Sequence, residues 1–94
     1  MPSYLVETYL SRSIVGERSA AEQRTRDVVT ELAREGLDIR FEHTIHVPEE
    51  ELCFFVLDAP SGRHAALAAE RAGLHPLRVV EAVYTRAQLT KEEP

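Results

Sequence analysis

Two strand-like segments separated by only four residues constrain the fold of this chain most strongly. Ile39 to Val47 alternates between apolar and polar residues, which is typical of a strand with one buried face. Leu52 to Leu57 is continuously apolar, which is typical of a central strand covered on both faces. Pro48 and three glutamates join the two segments. A connection this short predicts an antiparallel hairpin, because parallel strands need a much longer crossover.

A helix is predicted before this hairpin. Ala21, Val28 and Leu32 recur at helical spacing, which indicates one apolar stripe facing a core. Ser19 followed by Glu22 predicts a capping box at the N-terminus of the helix, because each side chain can satisfy an unpaired backbone N–H group. Gly36 is predicted to end the helix in the left-handed conformation.

An alanine-rich segment after the hairpin predicts the second helix. Ser61 is the expected N-cap, and Gly73 followed by Pro76 marks the C-terminal end. The ranges Tyr4 to Leu10 and Leu77 to Tyr84 are rich in branched and aromatic residues and predict the first and last strands.

The element order β-α-β-β-α-β determines the predicted topology. Right-handed crossovers give a four-stranded antiparallel sheet in the order 4-1-3-2 with both helices on one face, which is a ferredoxin-like α+β sandwich. The other face is left open, and the third strand is expected to place Cys53, Phe55 and Leu57 there. Covering such an apolar face with a second copy predicts a homodimer. The domain is predicted to span residues 1–86, followed by a polar tail at 87–94.

Composition excludes several classes of function. The 94 residues are enough for one domain, and the net charge is −5. The arginines are scattered rather than gathered in a basic stripe, so a nucleic-acid partner is not expected. No apolar run reaches the ~20 residues needed to span a bilayer, and the N-terminus lacks the pattern of a signal peptide. With a single cysteine, the sequence predicts a soluble cytoplasmic protein.

A candidate metal site comes from the hairpin register. If Val47 pairs with Leu52, then His46 lies opposite Cys53, and both are expected on the open face. Imidazole and thiolate together suit a borderline-soft ion such as nickel, zinc or copper. The alternative is that Cys53 is a small core residue and His46 a surface residue. A register shift of one residue would separate the pair.

Two carboxylates and two further histidines complete the candidate ligands. Glu7 and Glu81 lie on neighbouring predicted strands and could converge on the open face. His43 is three residues from His46, so strand geometry places the two on opposite faces, and His43 is expected at the margin of the helix-covered core. His75 follows the second helix and is a candidate ligand across a dimer interface. His64, in the first turn of that helix, is expected to face solvent.

No catalytic residue is predicted. The chain has no Gly-x-Ser-x-Gly motif and no phosphate-binding glycine loop, and a cysteine inside an apolar strand is expected to be unreactive. Two alternatives to a metal-binding protein stay open. One is a dimeric enzyme or small-molecule-binding protein that uses a cavity between the sheets, with Tyr9, His43 and Glu81 as candidates. The other is an accessory interaction module that binds through the sheet face or the acidic turn.

Several short motifs carry a resemblance to a known family. They are Tyr4-x-Val6-Glu7, Phe41-x-x-Thr44, Pro48, Cys53, Ala59-Pro60, Ala72-Gly73-Leu74 and Val79-Val80-Glu81. With these motifs the chain resembles the bacterial domain-of-unknown-function 4242 family, whose members are often labelled nickel-binding proteins. The resemblance covers residues 3–84 and is strongest from 39 to 83.

The resemblance implies a ferredoxin-like fold that is often dimeric, and a nickel site rather than an established reaction. Ni²⁺, or alternatively Zn²⁺, is therefore the expected ion. Cys53, Glu7 and Glu81 fall on matching positions of the family pattern. His43 and His46 occupy positions at which the family is not uniformly histidine, so a site that includes them would be peculiar to this chain.

Overall fold

Four strands and two helices follow one another in the predicted order in a computed structural model, which describes residues 1–85. The elements are β1 (Ser3–Tyr9), α1 (Glu17–Arg34), β2 (Arg40–Val47), β3 (Leu52–Asp58), α2 (Gly62–Arg71) and β4 (Arg78–Ala82). A short 3₁₀ turn at Pro48–Glu50 joins β2 to β3. The tail predicted at 87–94 lies outside the described residues.

The sheet topology confirms the predicted fold class. The strands are hydrogen-bonded in the order β2-β3-β1-β4, which is the predicted order 4-1-3-2 counted from the other edge. Every neighbouring pair is antiparallel. Both helices contribute to a single buried cluster with β1 and β3. The protein is therefore an α+β sandwich of the ferredoxin-like type.

The core lies between the helices and the two central strands. Val6, Phe55 and Leu57 have no exposed surface, and burial of each such side chain contributes about 1.5–3 kcal/mol. Ala65 and Ala68 of α2 are also fully buried, because small side chains allow this helix to lie close to the sheet. Among the described residues, no helix is long and apolar enough to cross a bilayer.

The predicted capping box of α1 is wrong. The helix begins at Glu17, two residues before Ser19, and its N-cap is Gly16, which offers no side chain. Glu22 is consequently well inside the helix. Its carboxylate accepts a hydrogen bond from the hydroxyl of Thr44 on β2 at 2.9 Å and thereby ties the helix to the edge of the sheet.

The other predicted helix signals are confirmed. The hydroxyl oxygen of Ser61 accepts a hydrogen bond from the backbone N–H of His64 at 3.3 Å and caps α2. Gly36 follows the end of α1 with a φ of 101°, a left-handed conformation that glycine adopts at little cost.

A β-bulge in β2 changes which of its residues face the helices. The register to β3 shifts between Phe41 and His43, so Glu42 is the additional residue. Phe41 packs against the core, whereas His43 and Ile45 point to the open side. The prediction that alternate residues from 39 to 47 share one face is therefore wrong beyond the bulge. One inserted residue moves every following side chain of the strand to the opposite face of the sheet.

The predicted orientation of β3 is also wrong. Cys53, Phe55 and Leu57 are fully buried in the core shared with the helices. The residues on the open side are instead Leu52, Phe54, Val56 and Asp58. Since the strand is apolar throughout, its sequence contains no alternation that could identify the inner face.

Candidate functional site

The open face of the sheet consists of rows of side chains that run across the strands. The registers place these rows as Arg40–Asp58–Ser3–Ala82, His43–Val56–Leu5–Val80, Ile45–Phe54–Glu7–Arg78 and Val47–Leu52–Tyr9. The first row is polar, and the others are mainly apolar. Neither helix covers this face.

Large apolar side chains reach solvent on the open face. Tyr9 is 58% exposed and Ile45 is 42% exposed. Leu5, Phe54 and Val80 on the same face are half-buried, and Val56 has no exposed surface. A contiguous apolar surface of this kind commonly marks a site of interaction.

An ion pair lies within the apolar rows. Nε of Arg78 donates a hydrogen bond to Oε1 of Glu7 at 2.7 Å, and the Glu7 side chain is only 15% exposed. The two charges compensate each other on adjacent strands. The carboxylate of Glu7 is therefore engaged by a guanidinium rather than directed towards other candidate ligands.

A tyrosine from beyond the last strand contacts the edge strand at one corner of this face. The hydroxyl of Tyr84 lies 3.5 Å from Nε2 of His43, and the two ring centroids are 5.9 Å apart. Burial raises the pKa of the Tyr84 hydroxyl, and the carboxylates of Asp58 and Glu42 raise it further. The corner thus combines an imidazole, a phenol and two carboxyl groups with the guanidinium of Arg40, which is paired with Asp58.

The carboxyl groups of Glu42 and Asp58 at this corner shift each other's pKa in opposite directions. A hydrogen bond to Asp58, together with the charge of Asp58, raises the pKa of Glu42. Burial acts to raise the pKa of Asp58, but hydrogen bonds from Glu42 and from Ser3 outweigh it and lower that pKa. The Ser3 hydroxyl donates to Oδ1 of Asp58 at 2.6 Å. Carboxyl oxygens held together in this way can bind either a proton or a cation.

The register predicted for His46 and Cys53 is confirmed, but the face is wrong. The two residues are directly opposite each other, and Val47 pairs with Leu52. Both lie on the helix-covered side, where Cys53 is fully buried. Burial raises the pKa of its thiol to about 11. Cys53 is thus enclosed between the sheet and the helices and does not reach the open face, whereas His46 is exposed at the edge of the sheet.

The remaining predicted ligands are distributed over the molecule. Glu7 lies on the open face, but Glu81 is opposite Tyr4 and therefore points to the helix side. The expectation that the two carboxylates converge is wrong. His75 lies in the loop after α2, where it borders a pocket with Tyr9.

His43 also differs from its prediction. It lies on the open face rather than at the margin of the core, because the bulge at Glu42 turns it outward. Within residues 1–85, no three His, Cys, Asp or Glu side chains are grouped so that they could hold a metal ion. The predicted ligands therefore do not form a mononuclear site in a single copy of the chain.

Sequence reasoning did not identify Glu42, Asp58 or Tyr84 as site residues. Asp58 ends an apolar strand, and an acidic residue at that position is a signal that could have been used. Glu42 reaches Asp58 through the bulge, and the continuous alternation of β2 contains no signal for a bulge. Tyr84 follows the last strand, and its contact with a distant edge strand depends on the path of the chain.

Comparisons with known proteins identify the fold and no family. No family model matches the chain, and no curated protein matches it in sequence. Among solved structures, the chain is similar to the crystal structure of SCO4226 from Streptomyces coelicolor A3(2), with a TM-score of 0.69 and 14% sequence identity. The alignment covers 89% of this chain and 99% of that chain. At this level of identity the similarity supports the architecture.

Proposed function

We propose that this chain is a non-catalytic binding protein that acts as a homodimer through the open faces of two sheets. The observation that carries the proposal is the exposed apolar surface around Ile45 and Tyr9, which neither helix covers. Packing two such faces would remove these side chains from water, at about 25 cal/mol for each Å² of apolar surface buried.

The size of the face predicts a dimer of modest affinity. Four strands spaced about 4.8 Å apart, each with about seven residues at ~3.3 Å per residue, form a face of roughly 19 Å by 23 Å. Two copies would bury roughly 900 Å² in projection, which is below the ~1,200 Å² of stable specific interfaces and in the range of weak, transient ones. Glu7 and Arg78 form an ion pair within the face. Neither of these two charges would therefore lose its hydration without a partner when the face is buried.

We propose a divalent metal ion, Ni²⁺ or Zn²⁺, as the ligand of this dimer. Imidazole nitrogen and carboxylate oxygen are suitable donors for both ions. Glu42 adjoins His43 in β2 and interacts with Asp58 on β3. Because the described residues of one chain do not group three such donors, a second copy would have to complete the set of ligands. The resemblance to the nickel-binding-protein family supports the choice of ion. This corner replaces the pair of His46 and Cys53 as the proposed location.

Calorimetric titration of chelator-treated protein with Ni²⁺ and Zn²⁺ in phosphate-free buffer tests whether the protein binds either ion. His43→Ala is expected to weaken binding, because it removes the imidazole from the open corner. His46→Ala is the matched control, since it removes an imidazole from the same strand but from the other face. Loss of binding in the His46 variant alone, or no binding by the unsubstituted protein, would contradict the proposal.

A second candidate function is the binding of a small molecule in a cavity between the two sheets. The contact between the Tyr84 hydroxyl and His43 favours it, because this pair can both donate and accept hydrogen bonds to a ligand. Of the residues first considered for this role, Tyr9 and His43 lie on the open face and Glu81 does not. A dimer structure with a fully packed interface would contradict this candidate.

The alternative of an accessory interaction module has its own test. A chain that stays monomeric alone and pairs only with another protein would favour that alternative.

Family membership and cellular location are also proposed. The shared ferredoxin-like architecture supports assignment to the domain-of-unknown-function 4242 family of bacterial proteins. A cytoplasmic location is supported by the single cysteine, Cys53, which is a free thiol in the core.

A further inference from the structure

We infer that a pocket on the helix side of the molecule binds a phosphate group, either free or as the phosphomonoester of a small molecule. The pocket has a volume of about 350 Å³. It lies between the loop that follows β1, the first turn of α1 and the end of β2. The proposed dimer face is on the other side of the sheet, so this inference does not depend on the proposed function.

Two arginines carry the inference. Arg12 from the loop and Arg18 from the first turn of α1 both line the pocket, and His46 forms part of the opposite wall. Guanidinium groups present N–H donors in a planar fork that matches the oxygens of a phosphate. Convergence of two arginines on one pocket is notable in a chain with a net charge of −5, because an acidic protein otherwise repels anions.

One carboxylate, Glu17, lines the pocket, and Glu22 lies one helical turn from Arg18; both have arginine partners. Glu22 accepts a hydrogen bond from Nη1 of Arg18 at 3.2 Å, and Glu17 lies 4.0 Å from Arg24. Five N–H groups are available on a guanidinium, so Arg18 retains donors after its bonds to Glu22 and to the hydroxyl of Ser19 at 3.5 Å. Glu22 therefore leaves donors of Arg18 available to an anion. Glu17, whose partner Arg24 is not part of the lining, adds a negative charge to the wall that Arg12 and Arg18 have to outweigh.

The loop is held in place by its backbone rather than by the Arg12 side chain. Oε2 of Glu51 accepts a hydrogen bond from the backbone N–H of Arg12 at 3.0 Å, and Leu10 N–H bonds to the carbonyl of Glu51 at 2.8 Å. The hydroxyls of Ser11 and Ser13 are 2.8 Å apart within the same loop. Hydrogen bonds thus anchor the loop backbone beside the pocket, and Arg12 is one of the residues that line it.

The volume of the pocket limits the size of the phosphate compound that it can hold. A pocket of about 350 Å³ is at the lower end of the range for small-molecule sites, which is roughly 300–1,000 Å³. A phosphate group would occupy only part of it, so an organic substituent of limited size can be accommodated as well. The apolar side chains of Leu10, Ile14 and Pro48 in the wall favour a substituent that is not itself charged.

Titrations monitored by amide NMR test this inference. The protein is titrated with inorganic phosphate and with phenyl phosphate, and sodium chloride at matched ionic strength is the control. Saturable shifts confined to residues 10–19 and 46–48 are expected with either phosphate compound. Tighter binding of phenyl phosphate would identify a phosphomonoester as the ligand, and equal or tighter binding of inorganic phosphate would identify the free ion. Shifts that sodium chloride reproduces would overturn the inference.

Charge-matched variants complete the test. Arg12→Ala and Arg18→Ala are each expected to weaken phosphate binding about tenfold or more, because each removes a charge-assisted hydrogen bond. Arg63→Ala is the control, since it removes the same charge from α2 at the other end of the sheet. Equal affinities in all three variants would overturn the inference. The spectrum of each variant without phosphate reports whether it is folded.

Discussion

Cys53 and His46 lie directly opposite each other on adjacent strands, yet only His46 reaches solvent. Both side chains project from the helix-covered side of the sheet, where Cys53 has no exposed surface. His46 is on the edge strand and at the end of the hairpin, so the helices do not cover it. Correct strand register alone is therefore not sufficient to make a thiol and an imidazole into joint ligands.

Cys53 is expected to be nearly inert in the native protein. Burial raises the pKa of the thiol from its ordinary value of 9.0 to about 11, so ionisation alone should lower the thiolate fraction at pH 8 about 100-fold. The rate of reaction with Ellman's reagent, followed by absorbance, measures this. The same protein unfolded in urea is the control. A native rate within about tenfold of the unfolded rate would contradict the burial of Cys53 in the core.

The two serines predicted as helix caps are expected to respond differently to substitution. Ser61→Ala removes the hydroxyl that caps α2 and should cost about 1 kcal/mol of stability. Ser19→Ala should cost much less, because Ser19 lies inside α1 and does not cap it. Urea unfolding of both variants measures the difference. Equal losses, or a larger loss at Ser19, would contradict the observed start of α1.

The opposite pKa shifts of Glu42 and Asp58 predict a dependence of stability on pH. The raised pKa of Glu42 means that the folded state binds the proton of this carboxyl more tightly than the unfolded state does. Its stabilising contribution is therefore present at low pH and is lost as the pH rises through the folded pKa. The lowered pKa of Asp58 acts in the opposite sense, and its contribution is lost as the pH falls through its folded pKa.

Glu42→Gln separates the two contributions. The glutamine amide can donate to Asp58 at every pH, so the loss of stability on raising the pH from about 4 to about 7 should be smaller than in the unsubstituted protein. Urea unfolding at several pH values measures it. Glu49→Gln in the turn after β2 is the control for removing one negative charge. A flattening of the pH dependence by the control alone would contradict the assignment of this dependence to Glu42 and Asp58.

The sequence was sufficient to predict the topology but not the faces of the sheet. The order of elements and the short link at Pro48 leave few alternatives, since handedness and hairpin geometry restrict the connections. Leu52–Asp58 gives no indication of which side is inner, because nearly every residue in it is apolar. In the structure, Cys53, Phe55 and Leu57 face the helices and belong to the same buried cluster as the alanines of α2.

The proposed site could be predicted only in part, because the face on which a strand residue lies depends on pairing with other strands. His43 was recognised as a candidate, but the bulge at Glu42 decides the face on which it lies. A bulge is a local insertion relative to the partner strand, so it depends on pairing with β3 and leaves no mark in the alternation of β2. The contacts of Asp58 and Tyr84 also depend on residues far away in sequence.

Sedimentation velocity across protein concentrations of about 1 µM to 500 µM tests the central claim, that the open sheet face joins two copies. The unsubstituted protein is expected to shift from monomer to dimer within this range. Ile45→Lys should remain monomeric, because it places a charge in the apolar rows, whereas Leu67→Lys on α2 should dimerise as the unsubstituted protein does. An unsubstituted chain that stays monomeric at every concentration, or an Ile45→Lys variant that still dimerises, would contradict the claim.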